Sequence, residues 1–332
     1  MVARIAALAL VPAAVSLLTA CSSEHGLRRH EQVDAWVQHD ISSVDILFVV
    51  DDSNSMAEEQ QALADGFASF IELVDDAAVD FHLGVVNTDL DEPGSARMIG
   101  DPPFLTADDD YVRLFQQRAL VGTQGSDQER GLQAAVEALS TDLLATDHEG
   151  FLRDEAQLLT VFVSDEDDCS DYGALDGMEG TDCYYEEQEL VDTETLLAKL
   201  VASKSDRSQV STAGILGLEG SSCDDAYPGR RYLDVVRATG GLTGDICTSD
   251  WSDILFELGL NTVGEQSRFP LTELARAESL SVYVDDELAP GEDWTYDEAD
   301  NAVVFSDDAI PPRGSTVRAE YIVAPSSMSA AE

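Results

Sequence analysis

The feature that most constrains the fold is a regular alternation of apolar runs and amphipathic segments between about residues 44 and 262. The runs at 44–50 and 158–165 are nearly continuous, which is typical of strands buried on both faces of a parallel sheet. Between such runs, apolar residues recur at helical spacing, as with Leu63 and Phe67. Strands that alternate with helices need crossover connections, so we predict a doubly wound α/β domain with a mostly parallel sheet and helices on both faces.

The predicted elements of this domain, which spans residues 42–264, follow from the same periodicity. Further strands are expected at 79–87 and 210–217. Helices are expected at about 56–75, 110–119, 128–143, 186–204 and 229–238, with a last one around Trp251, Leu255 and Leu258.

After about residue 265 the pattern changes to a period of two. The stretches LSVYV, WTY, AVVF and TVRAEYIV alternate apolar and polar residues and are separated by turn-forming segments rich in Asp, Pro and Gly. We therefore predict a small all-β domain over residues 265–325, with the character of a β-sandwich. Residues 326–332 are expected to be a disordered tail.

The first residues have the layout of a secretory signal. Arg4 precedes an apolar run, and Leu-Thr-Ala-Cys at its end resembles the lipobox of bacterial lipoproteins, in which the Cys thiol is acylated. We therefore expect a lipoprotein signal peptide at 1–20, a lipid anchor on Cys21 and a tether over 21–41. Ser22 follows the Cys rather than Asp, which in bacterial lipoproteins usually indicates the outer membrane, so we expect the envelope of a Gram-negative bacterium.

The charge balance limits the possible partners. The chain has 66 acidic and 18 basic residues, which gives a formal net charge of -48. Such a surface repels phosphate backbones and excludes nucleic acid as a partner, whereas cations are natural partners. Mean hydropathy of -0.11 excludes a protein with many membrane spans.

The cysteine count fits an exported chain. Of the 5 cysteines, Cys21 is assigned to the lipid, and the other four can form disulfides in three different pairings. The nearest-neighbour pairing, Cys169 with Cys183 and Cys223 with Cys247, is the one we favour. A zinc site is the weaker reading, because there is no C-x2-C spacing and no nearby His.

Small oxygen-bearing side chains follow the first apolar run. The stretch VDILFVVDDSNSM, at 44–56, places Asp51 where the strand ends, with Ser53 and Ser55 behind it. Another run, LLTVFVSD, ends in Asp165. Ligand sites in open parallel sheets form at the carboxyl ends of strands, so the two aspartates face one crevice if their strands are neighbours. Oxygen ligands alone suit Mg²⁺, Mn²⁺ or Ca²⁺ rather than zinc or copper.

These residues resemble the metal-ion-dependent adhesion site of von Willebrand factor type A (vWA) domains. In that family D-x-S-x-S comes directly after a strand and before a helix, as residues 51–55 do here. The family's second element is a Thr about five residues before a Gly. Ser126 stands five residues before Gly131 and offers an equivalent hydroxyl, with Thr123 as the fallback. The third element is an Asp after a hydrophobic strand, which Asp165 matches.

The resemblance covers about residues 42–264 and implies a function. The implied metal ligands are Asp51, Ser53, Ser55, Ser126 and Asp165. The implied cofactor is Mg²⁺, or else Mn²⁺ or Ca²⁺, with an open position for a carboxylate of a protein or polymer partner. Two features depart from the family: Ser replaces Thr in the second element, and the insertion EDDCSDYGALDGMEGTDC follows Asp165. The insertion remodels the rim of the site and leaves the partner's identity open.

The sequence also allows other interpretations of these residues. Ser53 or Asn54 could simply cap the following helix. The acidic run at 166–168 could hold a second Ca²⁺, but a solvated loop is the expected state. The chain could also be a structural surface lipoprotein with a vestigial metal site.

An enzyme is disfavoured by the sequence. The histidines are scattered, H-E-x-x-H, G-x-S-x-G and P-loop motifs are missing, and the paired cysteines leave no thiol nucleophile. His82 lies in the middle of a predicted strand and is expected to be a hydrogen-bonded core residue.

Overall fold

The computed structural model describes residues 30–91, 95–175, 183–221, 223 and 226–324. Cys21, the predicted signal peptide at 1–20 and the predicted tail at 326–332 lie outside these residues. The strands, in chain order, are β1 (Glu31–Val37), β2 (Ser43–Val50), β3 (Asp80–Asn87), β4 (Phe104–Leu105), β5 (Gln157–Ser164), β6 (Val210–Leu216), β7 (Thr243–Asp245), β8 (Arg268–Pro270), β9 (Ser281–Val284), β10 (Glu287–Leu288), β11 (Trp294–Asp297), β12 (Ala302–Phe305) and β13 (Thr316–Ile322).

Helices connect the strands of the first part of the chain. They are α1 (Ala57–Asp76), α2 (Tyr111–Ala119), α3 (Gly131–Ala138), α4 (Thr141–Leu144), α5 (Thr193–Val201), α6 (Arg230–Thr239) and α7 (Ser252–Thr262). Among the residues that the structure describes, no helix is both long and apolar enough to cross a membrane.

The central sheet has six strands in the order β4-β3-β2-β5-β6-β7. Strands β3, β2, β5, β6 and β7 are parallel, and only the short β4 pairs antiparallel. Two separate apolar cores cover its faces, one built with α1, α2 and α7 and the other with α3, α5 and α6. This confirms the predicted doubly wound α/β fold with helices on both faces.

A second, all-β part follows. Its strands form two antiparallel sheets, with the orders β1-β13-β9-β10 and β11-β12-β8. Side chains of both sheets share one apolar core, including Phe269 and Phe305 from one sheet and Val317 and Tyr321 from the other. The predicted all-β, sandwich-like unit is therefore present.

The prediction that residues 21–41 form only a tether was wrong for β1. This strand pairs antiparallel with β13 along its whole length. Its one buried residue is Asp34, which accepts hydrogen bonds from the Thr272 amide at 2.8 Å and the Tyr321 hydroxyl at 2.8 Å. Val33 and Val37 face outward and are more than half exposed. Because the inward position is polar, the strand lacks the apolar alternation that would have revealed it.

Two predicted helices are shorter than expected. The segment expected at 128–143 divides into α3 and α4, because the Ser140 side chain caps a new helix by accepting a bond from the Leu143 amide. The segment expected at 186–204 is α-helical only in α5. Its first part forms a single 3-10 turn at Glu187–Glu189 and becomes extended at Leu190, and the Val191 amide donates to the Ser170 carbonyl at 2.8 Å.

The cysteines pair as predicted. Cys169 is bonded to Cys183, and Cys223 is bonded to Cys247. The first disulfide closes the insertion after β5, and the second joins the loops that follow β6 and β7.

Candidate metal site

The site begins where β2 and β5 end side by side. Val50 and Val163 are register partners, and the amide of Asp51 donates to the Val163 carbonyl at 2.9 Å. One carboxylate oxygen of Asp51 accepts from the Ser53 amide at 2.7 Å, and the other accepts from the Ser164 hydroxyl at 2.6 Å. Asp51 is fully buried. The two strands are thus neighbours, which is the condition for Asp51 and Asp165 to face one crevice.

The hydroxyls of the D-x-S-x-S segment connect the two aspartates. Ser53 Oγ and Ser55 Oγ lie 3.1 Å apart. The Ser53 side chain contacts Asp51, and the Ser55 hydroxyl hydrogen-bonds the carboxyl of Asp165. A continuous set of oxygen atoms therefore runs from Asp51 through both serines to Asp165, which is four of the five predicted ligands.

The fifth predicted ligand, Ser126, has other partners. Its hydroxyl accepts from the Gln128 amide at 3.2 Å and hydrogen-bonds the carboxyl of Asp91. Thr123, the fallback, has its carbonyl bonded by the Gln124 side chain. The assignment of Ser126 as a metal ligand therefore stays a prediction.

The loop that carries Ser126 is nevertheless fastened to the end of β2. The Gln60 side chain donates to the Asp51 carbonyl at 2.8 Å and to the Gly122 carbonyl at 2.7 Å. The Gly125 amide donates to the Asp52 carbonyl at 3.0 Å. A Cβ atom at Gly125 would stand 2.4 Å from the Asp52 carboxyl, so this close approach needs glycine.

Glu129 is the acidic residue that the sequence analysis missed. It is completely buried, and its carboxyl contacts that of Asp51. Its Oε2 accepts a hydrogen bond from the Thr88 hydroxyl, while Oε1 has no partner among the described residues. Only the folded loop brings Glu129 to Asp51, and no local sequence motif marks it.

Burial and mutual repulsion perturb the acids around the site. Burial, reinforced by the charge of Asp51, raises the pKa of Asp165 to about 7, against a hydrogen bond from Ser55. The same two causes raise the pKa of Glu166 to about 7. Burial raises the pKa of Asp52 to about 6, although the Asn87 side chain donates to it. For Asp51 and Glu129, burial again raises each pKa above its ordinary value.

Helix capping does not account for the polar cluster. The residue that caps α1 is Met56, and it makes no side-chain capping bond. Ser53 and Asn54 precede the cap, and the Ser53 hydroxyl is directed to Ser55. The alternative that Ser53 or Asn54 serves only as a cap is therefore wrong.

The expectation that the acidic run at 166–168 forms a solvated loop was also wrong. Asp168 is buried and accepts from the Leu132 amide at 2.9 Å and from Arg231 Nε at 3.1 Å. Asp167 accepts from the Arg231 amide at 2.8 Å. Backbone amides at the starts of α3 and α6 and the Arg231 side chain donate hydrogen bonds to these acids. The acids therefore hold the starts of both helices against the insertion.

His82 and His148 are hydrogen-bonded to backbone groups of the fold. His82 Nδ1 lies 2.8 Å from the Phe151 carbonyl, which confirms its predicted hydrogen-bonded state. His148 is buried, and its two ring nitrogens contact the Met98 amide at 2.9 Å and the Ala138 carbonyl at 2.8 Å.

The donor set fits a hard cation. Within the described ranges, no group of three or more His, Cys, Asp and Glu side chains is already arranged as a metal site. A metal here would therefore depend on the serine hydroxyls as well as on the carboxylates. Two buried carboxylate oxygens, Asp165 Oδ1 and Glu129 Oε1, have no partner among the described residues. Buried acceptors of this kind suit Mg²⁺, Mn²⁺ or Ca²⁺.

Comparison with known proteins gives structural matches only. The chain is similar to the von Willebrand factor type A structure from Catenulispora acidiphila, with 11% identity and a TM-score of 0.40, over 90% of this chain and 66% of that one. It is also similar to the pilus adhesin SpaC from Lactobacillus rhamnosus GG in its open conformation, with 12% identity, a TM-score of 0.41 and coverage of 90% and 41%.

A third match is the pilus adhesin RrgA from Streptococcus pneumoniae, with 10% identity, a TM-score of 0.35 and coverage of 88% and 58%. The chain thus spans less than two thirds of each of these structures. No protein-family model matches the sequence, and no curated protein does. At such identities and TM-scores the matches carry no argument about what this chain binds.

Proposed function

We propose that this chain is a non-catalytic adhesion or protein-interaction module of the vWA type, which binds a carboxylate of its partner through a divalent cation. The observation that carries the proposal is the connected set of oxygens from Asp51 through Ser53 and Ser55 to Asp165 at one edge of the sheet. The same residues, in the same order, gave the resemblance to the adhesion site.

These residues would hold Mg²⁺, Mn²⁺ or Ca²⁺ by their oxygens. When bound, the cation supplies a Lewis-acidic position that can accept a carboxylate from a protein or polymer. The chain's own residues hold the oxygens in place, because Ser164 and the Ser53 amide fix the Asp51 carboxylate. The Asp165 backbone is fixed in turn by the Tyr227 amide, which donates to its carbonyl at 2.7 Å.

The rim of the site supports a protein partner. Tyr227 is 59% exposed beside Asp165, and its ring stacks near that of Tyr184 with centroids 6.1 Å apart. Tyr184 donates to Glu166 at 3.2 Å. Exposed tyrosines with an apolar face and a polar tip are enriched in protein interfaces.

The proposed setting is the outer membrane of a Gram-negative bacterium, with the lipid on Cys21 as anchor. It rests on the signal-like layout and the lipobox resemblance of the first residues. Acyl chains on one residue would hold the domain at the membrane, since each buried methylene contributes about 0.8 kcal/mol.

Calorimetric titration of the metal-free protein with MgCl2 or MnCl2 tests the metal site. We expect binding in the micromolar to millimolar range, of the order that oxygen sites of this kind show. Asp51→Ala and Ser53→Ala should abolish it, because each removes an oxygen of the connected set. Glu72→Gln, on the exposed face of α1, is the control and should bind as the wild type does. Flat heats with the wild type would favour a structural lipoprotein with a vestigial site.

Capture from envelope extracts tests the adhesive role. The full chain should retain a partner in the presence of Mg²⁺ and release it when EDTA is added, because the partner's carboxylate would bind through the cation. The Asp51→Ala protein should not retain that partner. A partner that stays bound in EDTA, or that binds Asp51→Ala equally well, would contradict the proposed mode of binding.

A further inference from the structure

We propose that the open edge of β1 is a second interaction surface, at which an extended segment of another protein adds as a further β-strand. The segment that fits this edge has apolar residues on one face and basic residues on the other. This inference does not depend on the metal site, because β1 belongs to the all-β part and contains none of the predicted metal ligands.

Backbone groups of β1 lie unpaired along its outer edge. The strand pairs with β13 on one side, and among the described residues no strand pairs with it on the other. The Gln38 amide donates to the Ser315 carbonyl just after β1. The Val323 amide donates to the His30 carbonyl just before it. Bonded pairs alternate along an antiparallel ladder, so the amides and carbonyls of the odd-numbered residues of β1 face away from β13.

The edge formed by β1 is also the longest open edge among the described strands. β1 has 7 residues in continuous register with β13. At the other sheet edges, β10 and β4 have 2 residues each, β8 and β7 have 3, and β11 has 4. Short edge strands, prolines and lysines commonly protect sheets against unwanted pairing. The sequence EQVDAWV has neither proline nor lysine, so β1 lacks all three protections.

Apolar side chains lie along the outer face of this edge. Val33 is 54% exposed and Val37 is 57% exposed. Ala35, between them, is exposed as well. β-branched side chains favour packing against similar side chains of a neighbouring strand. A strand added here would therefore cover these side chains and pair the open backbone groups at the same time.

The inner face of β1 determines the charge of the partner. Asp34 points inward, where the Thr272 amide and the Tyr321 hydroxyl donate to its carboxylate. The Gln32 side chain donates to the same carboxylate at 3.0 Å. Glu31 adds a second acid, and β1 contains no basic residue. Inward-facing residues of an added strand lie beside Asp34, so lysine or arginine is favoured there and an acidic residue is repelled.

Asp34 also argues against a second copy of this chain as the partner. Two β1 strands paired antiparallel about their centres place the two Asp34 side chains opposite each other, and like charges in that position are destabilising. Each copy carries a formal net charge of -48, which opposes self-association. A basic segment of a different protein therefore fits both the edge and its charge.

The test uses the full chain in EDTA, so that the proposed metal site takes no part. The probe is a capped, fluorescent peptide of the same length as β1 that alternates valine and lysine. A control peptide carries the same residues in two blocks. Binding is followed by fluorescence anisotropy in about 0.15 M salt, which screens attraction beyond about 8 Å. We expect the alternating peptide to bind at least about 5-fold more tightly, as one further backbone hydrogen bond would give.

Ala35→Pro is the decisive variant. It removes an amide that faces outward and leaves the bonds between β1 and β13 in place, because edge strands accept proline where its nitrogen faces solvent. We expect the affinity for the alternating peptide to fall about 10-fold, since a hydrogen bond is lost and the ring obstructs the added strand. Ala35→Ser keeps the amide and should bind within about 2-fold of the wild type.

Two further measurements do not depend on a proline. The double variant Val33→Ser and Val37→Ser removes the exposed apolar side chains and should weaken binding by about 3-fold or more. In the wild type, bound peptide should slow amide hydrogen exchange in Glu31–Val37 but not in Glu287–Leu288, at the opposite edge of the same sheet. Circular dichroism and thermal unfolding establish that each variant is folded.

The outcomes distinguish strand addition from other causes of binding. Absence of binding by the wild type, equal binding of the two peptides, or undiminished binding by folded Ala35→Pro overturns the proposal. If Ala35→Pro does not fold, unchanged exchange in β1 or full binding by the double serine variant overturns it instead. A dimer of the wild type in sedimentation velocity that Ala35→Ser retains and Ala35→Pro loses would assign the edge to a second copy, and would overturn the partner proposed here.

Discussion

Replacement of Asp45 by alanine should lower the free energy of unfolding by about 3 to 5 kcal/mol, the usual cost of breaking a buried ion pair. Asp45 lies in β2 and is completely buried. One carboxylate oxygen accepts from Arg153 Nε at 2.7 Å, and the other accepts from the Arg153 amide at 2.8 Å and from Lys204 Nζ at 3.1 Å. The Lys204 side chain is only 1% exposed. The substitution therefore leaves a lysine ammonium buried without its carboxylate.

Asp80 provides a matched control for this prediction. Its carboxylate pairs with Arg153 Nη1 at 2.7 Å, but its side chain is 70% exposed. Asp80→Asn removes a charge from the same arginine in a solvated setting and should cost no more than about 1 kcal/mol.

Urea-induced unfolding followed by circular dichroism measures both variants and a rescue. Combining Asp45→Ala with Lys204→Met should recover much of the lost stability, because no unpaired charge then remains at that position. Equal and small losses in Asp45→Ala and Asp80→Asn would show that the buried network contributes nothing beyond a surface pair.

The sequence predicted the α/β part of the fold because buried parallel strands and amphipathic helices leave strong periodic patterns. Strands such as β2 and β5 are mostly apolar, and oxygen-bearing side chains follow where each strand ends. The ends of these two strands hold Asp51 and Asp165, so the crevice could be anticipated from topology alone. The disulfides followed from nearness in sequence.

What the sequence did not show depends on contacts between distant segments. Strand β1 takes its place only by pairing with β13, and its inward residue is an aspartate. Glu129 reaches Asp51 because Gln60 and the Cys169 amide fasten its loop from two sides. Neither arrangement produces a local pattern in the sequence, because the partners are far apart along the chain.

The metal-free protein should lose stability as the pH rises from about 4 to about 7. Burial and repulsion raise the pKa of Asp165 and of Glu166 to about 7, and that of Asp52 to about 6. These groups bind more protons in the folded than in the unfolded state within this window, so the free energy of unfolding falls as the pH rises through it. Each unit of raised pKa corresponds to about 1.4 kcal/mol at most.

Other groups have lowered pKa values, so their contribution to the free energy of unfolding rises with pH. Their effect can be measured separately from that of the raised groups. Burial lowers the pKa of His148, which adds stability as the pH rises toward its ordinary value of 6.5. The pKa values of Asp34 and Asp91 are lowered, so their contribution is lost only as the pH falls below about 4.

An Asp51→Asn variant is the control, because it retains His148, Asp34 and Asp91. It removes a charge that repels Asp165 and Glu166, so its stability should depend less on pH than that of the wild type.

A divalent cation should reverse this loss of stability. It binds ionised carboxylates and competes with protons, so Mg²⁺ should add little stability near pH 5 and most above about pH 7. Urea unfolding at a series of pH values, in EDTA and in excess MgCl2, gives the two curves. They should coincide at acidic pH and separate as Asp165 ionises, whereas Asp51→Asn should show nearly the same curve in both solutions. Parallel curves for the wild type would mean that the cation binds elsewhere, because a site built on these carboxylates must exchange protons for metal.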